Sequence, residues 1–344
     1  MIHTVELYIQ ITGTEYRLLM ENKTKEAVTN PTTGKTQFHI RGFSDYGIND
    51  IIPKVYGTES GAKVFGCSMI VNLERLSHPR TKTVKTFKTE RDFKRVKSAF
   101  YCLMGIILPL RRNVDEWSVQ RIDYNIDLKM EQKRVEQYIV LLQRGAKNYS
   151  WKVHGKNKTT HPRGSVLYDN GRYSVSIYDK HLEQSTTNTN PERLRESEGV
   201  LRIEIQVKKP IAIKSRFEKQ VEGKPLSLFA RYEKAEPLIK RTIWNICGEA
   251  DYCTFAKAVE TIEESKQRQQ TKKDMIEFLR SVNANRSVWK ARAKYKGKTR
   301  MERILERLKW LNINPTTIPR EFGVERLENL YHQIGVQFAE EKTT

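Results

Sequence analysis

The chain has 344 residues, long enough for a sizeable core and more than one domain, and it carries a formal charge of +21 with a pI near 9.7. That balance points to a polyanionic partner, nucleic acid first, and the strongest alternatives lose ground early. No apolar run approaches the ~20 residues that span a bilayer. The cysteines Cys67, Cys102, Cys247 and Cys253 form no Cys-x-x-Cys pair, so the expectation is a cytoplasmic protein with reduced thiols, no zinc site and no membrane partner.

The opening, Met1-Ile-His-Thr-Val-Glu-Leu7, reads as a strand and not as a signal peptide, and the alternation continues to Ile11. Residues 22–62 are rich in Thr, Asn, Gly and Lys, with hairpin-like pieces around Asn30-Pro31 and Gly34. Residues 64–76 give a further strand. A basic stretch runs from Arg80 to Lys97. From Glu90 to about Leu108 the apolar residues Phe93, Val96, Phe100, Leu103, Met104 and Ile107 take helical spacing.

In Arg121–Leu128 the residues Ile122, Tyr124, Ile126 and Leu128 share one side, and Arg121, Asp123, Asn125 and Asp127 the other. A helix is predicted over 131–146, followed by a basic stretch from Lys152 to Arg163. Next comes a hairpin, Ser165–Lys180, centred on Asn170-Gly171, a pair suited to a two-residue turn. That turn sets Tyr168 opposite Tyr173 and Val166 opposite Val175, with Val166, Tyr168, Tyr173, Val175 and Ile177 on an apolar face. Tyr178 emerges on the polar face, followed by Lys180 and Glu183. Residues 179–196 suit a helix or loop beside it. In Leu201–Lys208, Leu201, Ile203, Ile205 and Val207 oppose Arg202, Glu204 and Gln206. A basic piece with Lys214, Arg216 and Lys219 follows.

The pattern then turns almost purely helical, which divides the chain into 1–235 and 236–344. Helical spacing recurs in 254–265, 272–282, 299–311 and 324–338. Residues 286–309 are strongly basic, with Trp289 and Tyr295 interleaved, and the close from Leu308 to Leu327 has a helix–turn–helix flavour. The expected fold is α+β: an antiparallel sheet with helices on its apolar face, then a basic, all-helical DNA-binding domain.

If the three alternating strands share a sheet, its open face gathers Asp123, Asp127, Glu204, Tyr178 and several cations. Taken singly, each carboxylate is an ordinary solvated strand residue; their coincidence on one face carries the reading. The fitting chemistry is transesterification at a DNA phosphodiester. A tyrosine hydroxyl, with a pKa near 10, needs activation. Carboxylates holding Mg²⁺ or Mn²⁺ would polarise the phosphate, and Lys180 would offset charge in the transition state. Candidate DNA contacts are Arg121, Arg172 and Arg202, with Lys290, Arg292, Lys294, Lys296 and Lys298 in the C-terminal part. No phosphate loop, paired-histidine motif or Gly-x-Ser-x-Gly elbow is present.

Three segments in this order carry a resemblance: Arg121-Ile-Asp-Tyr-Asn-Ile-Asp127, Val175-Ser-Ile-Tyr-Asp-Lys-His-Leu-Glu183 and Leu201-Arg-Ile-Glu204. Together they resemble rolling-circle replication initiators, of the gene II type of filamentous phages and the replication-initiation-factor type of Gram-positive plasmids and integrative elements. The opening residues also resemble the gene II type start. The resemblance covers roughly residues 1–215, and Tyr178-x-Lys180-x-x-Glu183 is its most specific part. It implies that Tyr178 is the nicking tyrosine and that Asp123 and Glu204 bind metal. It further implies nicking of one strand at an origin, attachment to the 5′ end, and a 3′-OH left to prime synthesis, with a host helicase among the partners. Tyr168 and Tyr173 compete with Tyr178, although both face the apolar side of the hairpin. The alternatives are a conjugative relaxase of an integrative element and a DNA-binding regulator without enzymatic activity.

Overall fold

Val5, Leu7, Ile9 and Ile11 are buried while Glu6, Tyr8 and Gln10 between them are not, and this period of two makes the first strand. The computed structural model describes residues 2–22, 24–29, 34, 36–59, 61–78, 90–144, 152–153, 164–169, 171–187, 190–210, 223–293 and 298–343, the side chains of 152, 153, 232, 289, 298 and 341–343 excepted. The expectations placed on Asn30-Pro31, 80–88, 154–163, Asn170, 214–219 and 294–296 fall outside those residues.

In chain order the elements begin with β1 (Ile2–Ile11), α1 (Gly13–Met20), β2 (Lys25–Thr29), β3 (Thr36–Ile40), β4 (Ile48–Gly57), β5 (Lys63–Asn72), α2 (Leu73–Ser77) and α3 (Glu90–Ile107). Then come β6 (Ser118–Lys129), α4 (Gln132–Gln143), β7 (Lys152–Val153), β8 (Ser165–Asp169), β9 (Tyr173–Asp179), α5 (Lys180–Thr187), α6 (Pro191–Ser197) and β10 (Val200–Val207). The rest is α7 (Leu226–Phe229), α8 (Tyr232–Cys247), β11 (Tyr252–Cys253), α9 (Phe255–Glu264), α10 (Gln269–Asn285), α11 (Val288–Ala293), α12 (Lys298–Trp310), β12 (Arg326–Leu327) and α13 (Leu330–Thr343).

The chain forms two units. One comprises Met1–Asn125, Gly171–Tyr173 and Glu204–Ala235, the other Ile126–Asn170, Ser174–Ile203 and Glu236–Thr344. In the first, the strand order is β2-β3-β4-β5-β1-β6, followed by the Glu204–Val207 part of β10. The pairs from β2 to β6 are antiparallel. The strand residues that point to the core are the apolar ones expected: Ile122, Tyr124, Ile205 and Val207 are all buried. Tyr124 Oη donates to the Phe229 carbonyl at 3.0 Å, which ties α7 to the apolar side of β6. Helix α3 buries the stripe Val96, Phe100, Met104 and Ile107, the residues its helical spacing singles out. A bulge in β1 falls between Ile2, opposite Tyr124, and Thr4, opposite Asp123.

In the second unit the order is β6-β10-β9-β8-β7, with β9·β8 and β8·β7 antiparallel. The hairpin differs from expectation by two residues: Tyr168 pairs with Val175 and Ser165 with Tyr178. Gly171, with φ +81, takes the left-handed conformation near the turn. Because strand faces repeat every two residues, a slip of two leaves the facing unchanged, and Val166, Tyr168, Val175 and Ile177 are buried as predicted.

This unit does not follow a linear division at residue 235. Helix α4 is tied to the C-terminal stretch: Tyr138 Oη donates to the Glu328 carbonyl (2.8 Å), Gln137 Nε2 to that of Phe322 (3.2 Å) and Arg144 Nη1 to that of Thr317 (3.0 Å). The C-terminal helices pack around Ile262, Met275, Phe278, Leu279, Met301, Ile304 and Leu308. The stretch is not all-helical, since β11 pairs with β12. Nor does its close take the helix–turn–helix spacing. Such a motif joins its helices by a turn of about 3–4 residues. Here residues 311–329 separate α12 from α13, and they include β12 and a bridge from Ile318 to Thr254.

Gly199 fixes the entry to β10. It has φ +66, and a Cβ there would lie 2.0 Å from the Met130 carbonyl oxygen. Gly199→Ala is therefore expected to cost more than about 2 kcal/mol, from left-handed backbone strain plus a clash with main chain that cannot swing aside. Thermal unfolding of the two proteins measures it.

Candidate active site

The sequence ends β9 with Ile177 in the core, Tyr178 half-exposed and Asp179 buried. Asp179 starts the next element. Its Oδ1 accepts from the backbone N–H of His181 (2.9 Å) and of Leu182 (3.1 Å), the bonding of a helix cap, while Gln132 Nε2 donates to its other oxygen. The helix begun in this way puts Lys180 and Glu183, three apart, on one side. Lys180 Nζ donates to Glu183 Oε2 at 2.7 Å and stands 5.7 Å from the centroid of the Tyr178 ring. Lys180 is only 7% exposed.

Beside them, Arg202 donates through Nε and Nη2 to the two oxygens of Asp127, each at 2.6 Å. Burial pushes the Asp127 carboxyl up, but the Arg202 guanidinium outweighs it, Lys180 adds to that pull, and the net shift is downward. Glu183 follows the same pattern: burial raises it, and Lys180, Gln184 and Arg202 together bring it below the ordinary carboxylate range. Asp127, Arg202, Glu183 and Lys180 thus form alternating charges beside a half-exposed tyrosine.

The first unit holds the other carboxylates. Asp123 is 9% exposed, and Arg121 Nε stands 3.2 Å from its Oδ1 in a contact that falls short of hydrogen-bond geometry. Burial pushes the Asp123 carboxyl up to about 6; Arg121 and Gln206 oppose the rise and the charge of Glu204 adds to it. Such a group binds its proton more tightly in the folded chain than in the unfolded one. Its contribution to stability is complete below about pH 4 and is withdrawn as pH rises through 6. In EDTA the protein is therefore expected to lose up to about 3 kcal/mol between those limits, and Asp123→Asn to flatten that slope. Urea unfolding across the pH range measures both.

Several sequence-based assignments change. Asp127, assigned as a metal ligand, is engaged by Arg202 through both its oxygens. Arg202, taken as a DNA contact, is 1% exposed and neutralised, and Arg292 is buried at 6% exposure. Neither presents a charge to a phosphate. Lys290 and Arg172 are exposed, Arg121 is half-buried beside Asp123, and Lys298 opens α12. Lys294, Lys296 and Tyr295 lie outside the described residues. Tyr168 is fully buried, donates to the Leu142 carbonyl at 2.5 Å, and has its hydroxyl pushed well above the ordinary range by burial. It is a core residue and no rival to Tyr178. Tyr173 is half-buried at the start of β9. His181 Nδ1 lies 3.0 Å from the Leu194 carbonyl and 3.3 Å from Ser197 Oγ, a tie between α5 and α6.

Compared with family models, curated proteins and solved structures, the chain matches none. Its function is read from its own residues. Among the described residues, no three His, Cys, Asp or Glu side chains are grouped to hold a metal, and no helix is long and apolar enough to cross a membrane.

Two residues escaped the sequence reading. Asn125 is wholly buried, and neither its Oδ1 nor its Nδ2 has a hydrogen-bond partner. His3, by the bulge in β1, lies beside Thr4, its Nδ1 2.8 Å from Thr4 Oγ1. Strand alternation assigns Asn125 to the polar face but does not tell that the face is covered there. The bulge has no signature in sequence.

Proposed function

We propose that this protein nicks and rejoins one strand of DNA by transesterification at Tyr178, the reaction that starts rolling-circle replication of a phage or plasmid. The observation that carries the reading is the placement of Tyr178: half-exposed at a strand end, with a buried ammonium 5.7 Å from its ring. Tyr178 Oη attacks the phosphorus and loses its proton. The bond from phosphorus to the 3′ oxygen breaks, and that oxygen takes up a proton as a 3′-OH. The product is a 5′-phosphotyrosine diester, and attack by the same 3′-OH reverses the step. Lys180, fixed by Glu183, offsets negative charge gathering on the phosphate oxygens.

Mg²⁺ or Mn²⁺ fits the residues of the first unit. Asp123 offers a buried oxygen that Arg121 approaches without hydrogen-bond geometry, and Glu204 is close enough to raise its carboxyl, whereas both oxygens of Asp127 accept from Arg202. The ion, when bound, supplies Lewis-acid polarisation of a phosphate oxygen. The contacts that position the DNA include Arg172 and Lys290, with a host helicase the expected partner for strand separation.

The test is incubation with supercoiled DNA carrying the neighbouring genomic region, with Mn²⁺ or with EDTA. Open circles bearing protein on a 5′ end, formed only with the cation, are the expected result. Salt-sensitive binding without nicking on any such DNA would favour a regulator.

A further inference from the structure

A buried amide with nothing to bond is costly: an unsatisfied polar group costs about 1–3 kcal/mol. Asn125 carries two such atoms at 0% exposure. It lies on β6 two residues after Asp123, and alternation puts both on the face opposite Ile122 and Tyr124. Asp123 Oδ1, buried too, meets Arg121 Nε at 3.2 Å without hydrogen-bond geometry, and Glu204 stands on β10, the next strand in the order. Three oxygen-bearing side chains of one unit thus share one face, and one buried oxygen on each of Asp123 and Asn125 has no hydrogen bond.

We propose that Asn125 Oδ1 is the third protein ligand of a divalent-cation site formed with Asp123 and Glu204. The inference deepens the proposed function and rests on it for the two carboxylates. Side chains two apart on one face of a strand stand about 6–7 Å apart at their origins, a gap that a carboxylate and an amide can close onto one ion at about 2.1 Å per bond. Two carboxylates and one neutral oxygen suit a hard cation that keeps several waters. The Asn125 Nδ2–H groups are then left to donate to a metal-bound water or a phosphate oxygen, so one side chain satisfies both its orphaned atoms. Asp127, the carboxylate that would otherwise complete the set, is held by Arg202.

The experiment is calorimetric titration of Mn²⁺ into the full chain at neutral pH, for the native protein, Asn125→Leu and Asn125→Asp, with thermal unfolding in EDTA alongside. The native protein is expected to bind one Mn²⁺. Asn125→Leu should weaken binding at least about tenfold while melting in EDTA no lower than the native chain, since an unpaired buried amide has been removed. Asn125→Asp, which keeps the oxygen and adds charge, should bind as tightly or more tightly. Native-like binding by Asn125→Leu, weakened binding by Asn125→Asp, or no binding by the native protein would each overturn the proposal. If Mn²⁺ binding depends on Asn125 and yet no DNA is nicked, the cation site stands and the strand-nicking reading falls.

Discussion

Tyr178→Phe is expected to fold normally, to form no covalent link to DNA, and to nick about 10³-fold more slowly or worse, the scale on which loss of a nucleophile is felt. Tyr178 is half-exposed at a strand end, so removal of its hydroxyl leaves the core of the second unit intact. Tyr168→Phe gives the opposite signature. Its hydroxyl is buried and bonded to the Leu142 carbonyl, so the variant should lose about 1 kcal/mol of stability and keep its nicking rate. Lys180→Met should slow nicking about 10²-fold and still form the covalent product, because it offsets charge without being the attacking group. Single-turnover cleavage of a labelled origin strand, with denaturing gels to reveal attached protein, separates the three. Full activity in Tyr178→Phe would move the nucleophile elsewhere, Tyr173 first.

Local pattern was enough for some of this and not for the rest. The inward residues of β6 and β10 follow from alternation alone, because an apolar residue at every second position has only one way to leave water. The hairpin register was off by two, yet Tyr168 and Tyr178 kept their faces, since an even slip preserves side-chain direction. What strand pattern does not contain is what covers a polar face. Arg202 and Asn125 look like solvated residues by spacing, and both are buried. The division of the chain was illegible for a related reason. The bonds from Tyr138, Gln137 and Arg144 to carbonyls some 170–190 residues away join segments whose composition differs. Such pairings depend on the path of the chain, and no window of sequence reports them. The candidate site was legible as a set of residue types, while the partition of its carboxylates between an arginine and an open role was not.

That partition is testable through Arg202. Its side chain is 1% exposed and both oxygens of Asp127 depend on it. Removing one member of a buried pair leaves a charge without compensation, at a cost of about 3–5 kcal/mol. The Asp127 side chain retains 30% exposure, which places Arg202→Met toward the lower end of that range. Adding Asp127→Asn to Arg202→Met should recover most of the loss, since the lone charge goes with it. The pH response gives an independent check. The Asp127 carboxyl is held below its ordinary range, so its contribution to stability is present above about pH 4 and is lost as pH falls through the folded value. Asp123, four residues earlier on the same strand, has the opposite sign and loses stability as pH rises to about 6. Urea unfolding from acid to neutral pH should therefore show two limbs. Arg202→Met should shrink the acid limb to the part that other depressed carboxylates such as Glu183 carry and spare the other limb, and Asp123→Asn should flatten the second limb and spare the first. An acid limb undiminished by Arg202→Met would mean that other carboxylates carry all of it, and that the Asp127 pair contributes little to the fold.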